Sequence, residues 1–545
     1  MVKQRWGRWP AIKIMLWLGG LGSVMPLALP VLALVESVGA QGIDARRLHG
    51  EPFGLTGDKI AIGQVEIGRP SQFGLDKVAS ETLPVVVRRV LLLDNGAAAD
   101  EFVDGHATNV ASVMISRDKQ HTGVAPDALL YSGAVGRLEE GTAQPEECLA
   151  SQAVALQNSG DVRAINFSFG EPLSRDPRPN AVLDGNALLT QCIDWSSRVH
   201  GTLYVIAGNQ GRGGIPIPTD NFNGINVAYS RQINGEFNKI DYSNLGSEPT
   251  VQPRRGLAPE TNVGPRRSIG LVAPGSNIAL IDPDGRLTTS SGTSFASPHV
   301  AGTVALLQQL VDRQLRTGAA NASLAGRHPM VMKAVLLNSA DKLKDSGDGL
   351  RLGMTRTLVD SGNRSWLESD AYRDRTLPLH KDLGTGHLNA YRAYQQLLPG
   401  AYGPDQAVPA VGWNLAELPA PAAGPATVHD YLLEAPLQAG SFVSATLAWE
   451  RLVELVDSNG NGLYDLGEGF TDQGLNNLDV YLMPAAEDDI ANSLGASVSE
   501  VDSVEHIFYQ IPETGRYKLR VIYQQQAHAA PTQPYALAWW SVPAP

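Results

Sequence analysis

The 545-residue sequence contains only two cysteines, Cys148 and Cys192. Two cysteines exclude a disulfide-rich scaffold, and neither has flanking residues typical of a metal or redox site. Both lie in segments that have a helical pattern. The sequence leaves two possibilities open: one disulfide, if the two helices are neighbours, or two buried free thiols.

Basic residues are also scarce. The 43 Lys and Arg residues are outnumbered by 56 Asp and Glu residues, which gives a formal net charge of −13. Proteins that bind nucleic acid rely on clustered Lys and Arg to neutralise phosphates, so nucleic acid is not expected as a partner. Hydrophobic residues make up 43% and charged residues 18% of the chain, a composition that excludes wholesale disorder.

Long apolar runs are absent except near the N-terminus. Four basic residues precede an apolar run from Ile14 to Val35, and small residues up to Ala40 follow. This order is typical of a secretory signal peptide. Pro26 and Pro30 interrupt the run, which favours a cleaved signal over a membrane anchor, although an anchor stays the alternative. We therefore predict a signal peptide over 1–40, a secreted, periplasmic or cell-surface location, and no stable membrane insertion after cleavage.

The region from 41 to 398 alternates short apolar strands with longer helical patterns. This order predicts an α/β domain with a mostly parallel sheet and helices on both faces. Candidate strands are 59–65, 85–93, 129–133, 163–169 and 202–207, and candidate helices are 108–116, 149–157, 188–199, 295–315 and 330–339.

The pattern changes after residue 398. Residues 399–427 are rich in Pro, Ala and Gly and are predicted to form a linker. Residues 428–545 contain short alternating segments separated by turn residues, which predicts a small antiparallel β-sandwich or jelly roll.

Three segments contain residue types suited to nucleophilic catalysis. Ser294 lies in a small-residue turn before a long amphipathic helix, where free backbone N–H groups can stabilise an anion. His106 also opens a helix, and histidine can take a serine proton near neutral pH. Asn209 follows a strand in a glycine-rich turn and can donate an amide N–H to an oxyanion. Each segment alone is more typical of ordinary structure than of catalysis.

Together, these segments resemble the subtilisin-like serine peptidases, or subtilases. The resemblance depends most on the Gly-Thr-Ser-x-Ala-x-Pro-His-Val-Ala-Gly block around Ser294 and extends over roughly residues 59–396. It implies a three-layer α/β domain in which Ser294 is the nucleophile, His106 the general base and Asn209 the oxyanion donor. It also implies that the strand ending in Ser168, Phe169 and Gly170 pairs with polypeptide substrate.

The catalytic acid departs from the family pattern. The family has an aspartate at the end of the first core strand, and the matching residue here is Glu66. A glutamate can still accept the imidazole N–H, with its carboxylate displaced by one methylene. Asp94 and Asp104 lie too close in sequence to His106 to be comfortable alternatives. We predict an acyl-transfer endopeptidase with a Glu66–His106–Ser294 triad and no catalytic cofactor. The alternatives are an impaired homologue that binds polypeptide or surface material, and an ester hydrolase.

The C-terminal region contains a candidate calcium loop from Asp457 to Glu468. Oxygen-bearing side chains occupy loop positions 1, 3, 5, 9 and 12, with glycine at position 6, which is the spacing of an EF-hand loop. A hairpin that binds no ion is the alternative. The predicted ligands of a structural Ca²⁺ are Asp457, Asn459, Asn461, Leu463 (through its carbonyl), Asp465 and Glu468.

We also expect folding without an N-terminal pro-domain, because Ala40 and Glu66 are close in sequence.

Overall fold

Ten strands form a central sheet in this computed structural model, which describes residues 34–136, 142–208, 217–239, 266–360, 362–421 and 426–545. The α-helices in this part of the chain are α1 Leu34–Val38, α2 Arg46–His49, α3 Gly105–Ile115, α4 Gln144–Ala155, α5 Gln157–Gly160, α6 Leu188–His200, α7 Thr293–Thr317, α8 Pro329–Asn338 and α9 Ala390–Leu397. No described helix is both long and apolar enough to cross a membrane.

Twelve strands precede residue 400 among the described residues. They are β1 Ala61–Glu66, β2 Arg89–Leu92, β3 Asn95–Gly96, β4 Leu129–Ala134, β5 Val162–Phe167, β6 Leu203–Ala207, β7 Ile225–Ile233, β8 Glu236–Lys239, β9 Ile269–Pro274, β10 Ile278–Ile281, β11 Leu287–Ser290 and β12 Leu358–Val359. The central sheet has the order β12-β8-β7-β6-β5-β1-β4-β2-β3, and β9 also pairs with β7. Only the β2–β3 and β7–β8 pairs are antiparallel within it, so the predicted mostly parallel sheet is confirmed.

Helices cover both faces of this sheet. Alternate residues of β1 show why: Ile62 packs in the core that contains α3, α7 and α8, whereas Ala61 and Val65 pack in the core that contains α4. Side chains of a strand point to opposite faces with a period of two, so a strand between two helical layers is buried on both sides. On the second face, Cys148 of α4 and Cys192 of α6 form a disulfide.

The remaining strands form two further sheets and a hairpin. They are β13 Gln406–Val408, β14 Val411–Pro419, β15 Thr427–Leu433, β16 Phe442–Trp449, β17 Leu452–Val456, β18 Gly469–Gly474, β19 Asn477–Pro484, β20 Gly495–Ser497, β21 Val504–Gln510, β22 Tyr517–Gln525 and β23 Thr532–Trp540. The sheet orders are β14-β23-β16-β21 and β13-β15-β22-β19-β20, and β17 pairs with β18. Apolar residues of both sheets share one core, as in a β-sandwich.

The structure corrects the predicted linker 399–427. Its β13 and β14 are strands of the sandwich, and β14 pairs with β23 along its whole length. Trp413 and Leu418 of β14 are buried. Pro409 lies between β13 and β14, and Pro419 is the last residue of β14, so neither interrupts the middle of a strand.

The four-stranded sheet of the sandwich is covered on both sides. Every residue of β16 is buried. Leu447 faces the sandwich core, while Ala448 belongs to the core around α8. The Asn338 side chain at the end of α8 accepts hydrogen bonds from Ser444 and Thr446. The sandwich therefore packs directly on the helical layer of the α/β region.

Most of the predicted signal peptide 1–40 lies outside the described residues. Its last residues belong to the fold: Val38 is fully buried, and the Ser37 hydroxyl lies 2.9 Å from Nε2 of the buried His299. Cleavage after Ala40 would remove both contacts, whereas cleavage before Leu34 would keep them.

Candidate active site

His106 is held at the first turn of α3 by two neighbouring contacts. Asp104 caps the helix by accepting the Ala107 N–H at 2.9 Å. The Gln64 side chain on β1 donates to the Ala107 carbonyl at 3.1 Å. The His106 side chain is 40% exposed, so one edge of the ring is open to solvent.

Glu66 lies at the carboxyl end of β1 and reaches His106. Its Oε2 is 3.2 Å from Nδ1 of His106, and the residue is only 2% exposed. The other oxygen, Oε1, is buried and meets no hydrogen-bond partner of good geometry among the described residues, while the Ser168 backbone N–H also stabilises the charged carboxylate. Glu66 is thus the carboxylate in hydrogen-bond contact with the imidazole, whereas Asp104 caps α3.

Burial and the Glu66–His106 contact together shift the pKa values of both residues. Burial raises the pKa of Glu66, and the attraction of His106 offsets only part of that rise. Burial alone would lower the pKa of His106, but the charge and hydrogen bond of Glu66 outweigh it, so the pKa is raised. A histidine stabilised in its protonated form by a buried carboxylate is suited to accepting a proton during a reaction.

Ser294 occupies the first turn of α7. Its hydroxyl donates to the Ser168 carbonyl at 3.1 Å, and the residue is 8% exposed. The neighbouring Phe295 ring lies 5.7 Å from the His106 ring, centroid to centroid, so the start of α7 borders the histidine. In this conformation the Ser294 hydroxyl donates to Ser168 and not to the imidazole.

The predicted substrate strand contacts the start of α7 through hydrogen bonds of Ser168. The Ser168 hydroxyl donates to the Ser294 carbonyl at 2.9 Å and lies 3.1 Å from the Ser297 hydroxyl. Asn166 donates to the same Ser168 oxygen at 2.9 Å. Sequence reasoning missed Gln64, Asn166 and Ser297. The signal for the first two was a polar side chain inside an otherwise apolar strand.

Of the remaining predicted residues of the cleft, the structure describes Phe169 and Gly170 but not Asn209. Phe169 is buried and stacks on Phe167 with ring centroids 5.1 Å apart, while Gly170 is partly exposed. Asn209, the predicted oxyanion donor, lies outside the described residues. Its role stays a prediction.

The candidate calcium loop connects β17 to β18. The Asn459 and Asn461 amides contact Oδ2 of Asp465 at 2.7 and 2.8 Å, and Asp457 accepts the Gly462 N–H at 2.8 Å. Gly462, at loop position 6, has a φ of +74°, which favours glycine.

All the predicted donors of this loop are oxygens, including the Leu463 carbonyl, and oxygen is the donor type that a hard cation prefers. In the described part of the chain, however, no three His, Cys, Asp or Glu residues form a group able to hold a metal. The three carboxylates of the loop are therefore not assembled around one point in this structure, and calcium binding stays a prediction.

Comparison with known proteins identifies the family. Residues 87–355 match the model of the subtilase family. This match includes His106 and Ser294 but begins after Glu66, and it ends before the sandwich.

Two curated relatives illustrate the distance. The chain is 27% identical over 287 residues to an alkaline protease of Alkalihalobacillus alcalophilus, covering 51% of this chain and 62% of that protein. It is 27% identical over 262 residues to subtilisin Savinase of Lederbergia lenta, covering 47% and 78% respectively. The chain thus spans less than two thirds of the length of the first of these relatives.

Among solved structures, a cold-adapted subtilisin-like serine proteinase aligns with 22% identity and a TM-score of 0.36, covering 56% of this chain and 89% of that one. The central sheet, its two helical layers and the family match agree on one assignment. The domain that contains residues 87–355 is a subtilase-family domain.

Proposed function

We propose that this protein is a serine endopeptidase that uses Glu66, His106 and Ser294. The observation that supports it best is the 3.2 Å contact between Glu66 and His106 beside the start of α7. The contact fixes the imidazole with Nδ1 toward the carboxylate, which leaves Nε2 for the serine proton. Relatives named as proteases support the same reaction class.

The reaction follows from these positions. Ser294 Oγ attacks the peptide carbonyl while its proton moves to Nε2 of His106, and Glu66 stabilises the resulting imidazolium. The tetrahedral intermediate collapses as the amine leaves with a proton from His106. Water, deprotonated by the same histidine, then attacks the acyl-enzyme ester and releases Ser294. The Ser294 N–H and Asn209 are the proposed oxyanion donors.

Polypeptide is the proposed substrate. The segment from Ser168 to Gly170 lies directly beside the start of α7. An extended peptide that adds to this segment would be bound through its backbone, a mode that tolerates many side chains.

Hydrolysis of an unfolded protein tests this proposal. We expect the wild-type chain to release peptides from it and Ser294→Ala to release none at equal concentration. A wild-type protein that is folded and shows no hydrolysis would contradict the proposal. Turnover of an ester with no turnover of a peptide of matched length would favour the ester hydrolase.

A second candidate is an impaired homologue that binds polypeptide. It is favoured by the glutamate at the acid position and by the Ser294 hydroxyl, which bonds to Ser168. Peptide binding that is equal in wild type and Ser294→Ala, with no cleavage by either, would support it.

We also propose that the 457–468 loop binds a structural Ca²⁺. The ligands would be the side chains of Asp457, Asn459, Asn461, Asp465 and Glu468, with the Leu463 carbonyl. Added Ca²⁺ should raise the thermal midpoint of the full chain, and Asp457→Ala should abolish the increase. A midpoint insensitive to Ca²⁺ and to chelator would contradict this site.

Export is the proposed location. The N-terminal apolar run supports a signal peptide, and the contacts of Ser37 and Val38 favour cleavage before Leu34. The intact mass of protein recovered from outside the cytoplasm tests both points. A mature chain that begins at Gln41 would show that these contacts are dispensable.

A further inference from the structure

The 217–224 loop connects the segment that contains Asn209 to β7 and touches the predicted substrate strand. Glu171 and Ile217 form a two-residue antiparallel bridge, with N–O distances of 2.9 and 3.1 Å. Glu171 follows Gly170 directly. A shift of this loop would therefore be transmitted to the wall of the cleft formed by Ser168, Phe169 and Gly170.

Phe222 fixes this loop to the C-terminal sandwich. Its ring lies between two guanidinium groups, with the Arg266 carbon 3.8 Å and the Arg451 carbon 4.4 Å from the ring centroid. Its carbonyl accepts hydrogen bonds from Lys333 at 2.6 Å and from Ser503 at 2.7 Å. Arg451 and Ser503 both belong to the C-terminal region, so the sandwich contributes half of these contacts.

Arg451 also neutralises the group that organises the loop backbone. Asp194 of α6 is fully buried and accepts the N–H groups of Phe222 at 3.0 Å and Asn223 at 2.8 Å. Arg451, 1% exposed, donates to Asp194 at 2.7 Å and to the Gly185 carbonyl at 2.7 Å. Removal of one partner of a buried ion pair leaves an uncompensated charge.

The backbone of Arg451 is locked to the same loop. Its N–H donates to the Asn223 side chain at 2.9 Å, and that side chain donates to the Arg451 carbonyl at 3.2 Å. Arg451 therefore contacts the loop directly, through the Phe222 ring and its own main chain, and indirectly, through its ion pair with Asp194.

We propose that Arg451 is a positioning residue for peptide hydrolysis: through Asp194 and Phe222, the C-terminal sandwich holds the 217–224 loop and with it the substrate strand. This inference rests on the proposed peptidase function. It assigns the sandwich an indirect part in catalysis, through the position of the 217–224 loop and not through contact with substrate.

The test compares Arg451→Met, Arg451→Lys and Asp194→Asn/Arg451→Met in the full chain. Arg516→Met is the matched control, because Arg516 is an exposed arginine of the same sandwich. One readout is hydrogen exchange of the amides in 217–224 and 168–171. The other is kcat/KM per active site, titrated with a fluorophosphonate, for a hexapeptide and for a short ester.

We expect Arg451→Met to speed exchange in both segments and to lower kcat/KM for the hexapeptide by about 10- to 100-fold, as a displacement of roughly 1 Å would do. The loss should be larger for the peptide than for the ester. The double variant should recover part of the exchange protection, because it buries no unpaired charge. Arg451→Lys should lie between wild type and Arg451→Met, and Arg516→Met should match wild type.

Unchanged exchange and unchanged kcat/KM in Arg451→Met would overturn the proposal. A lower yield or thermal midpoint with normal kcat/KM per titrated site would also overturn it, since the role would then be structural alone. If Arg451→Met does not fold, the double variant and Arg451→Lys decide. If wild type hydrolyses nothing, the proposed function fails, and the exchange measurement still tests the link between the sandwich and the loop.

Discussion

The buried Glu66 carboxylate contacts His106 through its Oε2 oxygen. An extra methylene relative to aspartate would push the carboxylate against the histidine unless the backbone or the ring moved. At 3.2 Å the Glu66 carboxylate reaches Nδ1 of His106 without a close contact. A shorter side chain at this position should reach the imidazole less well.

Substitutions at Glu66 test this fit. Glu66→Gln should lower kcat by roughly 10³–10⁴-fold, because a neutral amide neither stabilises the imidazolium nor fixes its tautomer. Glu66→Asp should cost up to about 10²-fold, since the carboxylate withdraws from Nδ1. Steady-state kinetics with a chromogenic peptide measure both values. Full activity in Glu66→Gln would show that another group orients His106.

The pH dependence of kcat/KM should report the pKa of His106. Only the neutral imidazole accepts the serine proton, and the pKa of His106 is raised above its usual value of 6.5. Activity should therefore fall as the pH drops through a midpoint above 6.5. In Glu66→Gln the midpoint of the residual activity should move to lower pH, because the carboxylate that stabilises the charged imidazole is gone. An unchanged midpoint in that variant would contradict the coupling.

Some of these residues were predictable from the sequence and others were not. Motifs and chain order are sufficient to select Glu66, His106 and Ser294 as candidates. Gln64 and Asn166 were missed because their roles depend on which backbone group lies opposite them in the folded protein. The direction of the Ser294 hydroxyl, toward Ser168, is likewise a property of packing.

At the scale of elements, α4 and α6 form a unit on one face of the sheet. The Cys148–Cys192 bridge joins them, and Tyr464 of the C-terminal region packs against the same cluster. The Gln152 side chain bonds both the N–H and the carbonyl of Tyr464, at 2.6 and 3.0 Å. The calcium loop candidate is thus attached to α4 through the residue next to Leu463.

Loss of the disulfide should destabilise this unit. For a sequence separation of 44 residues, the loss of loop-closure entropy corresponds to about 4 kcal/mol. Cys148→Ser/Cys192→Ser should lower the thermal midpoint measured by calorimetry, and reduction of wild type should lower it to a similar extent. A midpoint equal to that of wild type in both cases would contradict a stabilising bridge.

Long elements were predicted more reliably than short ones near proline. The predicted helix 295–315 corresponds to α7, Thr293–Thr317, because its apolar period and glycine end are unambiguous. The sequence predicts a linker where the strand β14 lies, because Pro409, Pro419 and nearby alanines obscure the alternation of apolar and polar residues. Its pairing with β23 is a tertiary contact that local sequence does not encode.

At the scale of the molecule, the α/β region and the sandwich share buried surface. Ala448, Ala536 and Ala538 of the sandwich belong to the same core as α7 and α8. Because they share this core, the two regions are not independently packed domains joined by a linker. The sandwich covers α8, which would otherwise present apolar side chains to water.

Truncation should therefore be costly. A chain that ends at residue 398 would expose the face of α8 that packs on β16 and would leave Asp194 without Arg451. We expect low soluble yield and a lower thermal midpoint than that of the full chain. A soluble, cooperatively folded 34–398 fragment with wild-type kcat/KM would show that the sandwich is a separable accessory.

The central claim is that Ser294 is a nucleophile activated by His106 and Glu66. Reaction with a fluorophosphonate, followed by peptide mapping, tests it most directly. We expect a covalent adduct on Ser294 that is absent in Ser294→Ala and forms much more slowly in His106→Ala and Glu66→Gln. Folded wild-type protein that stays unlabelled, or that is labelled at another serine, would contradict it.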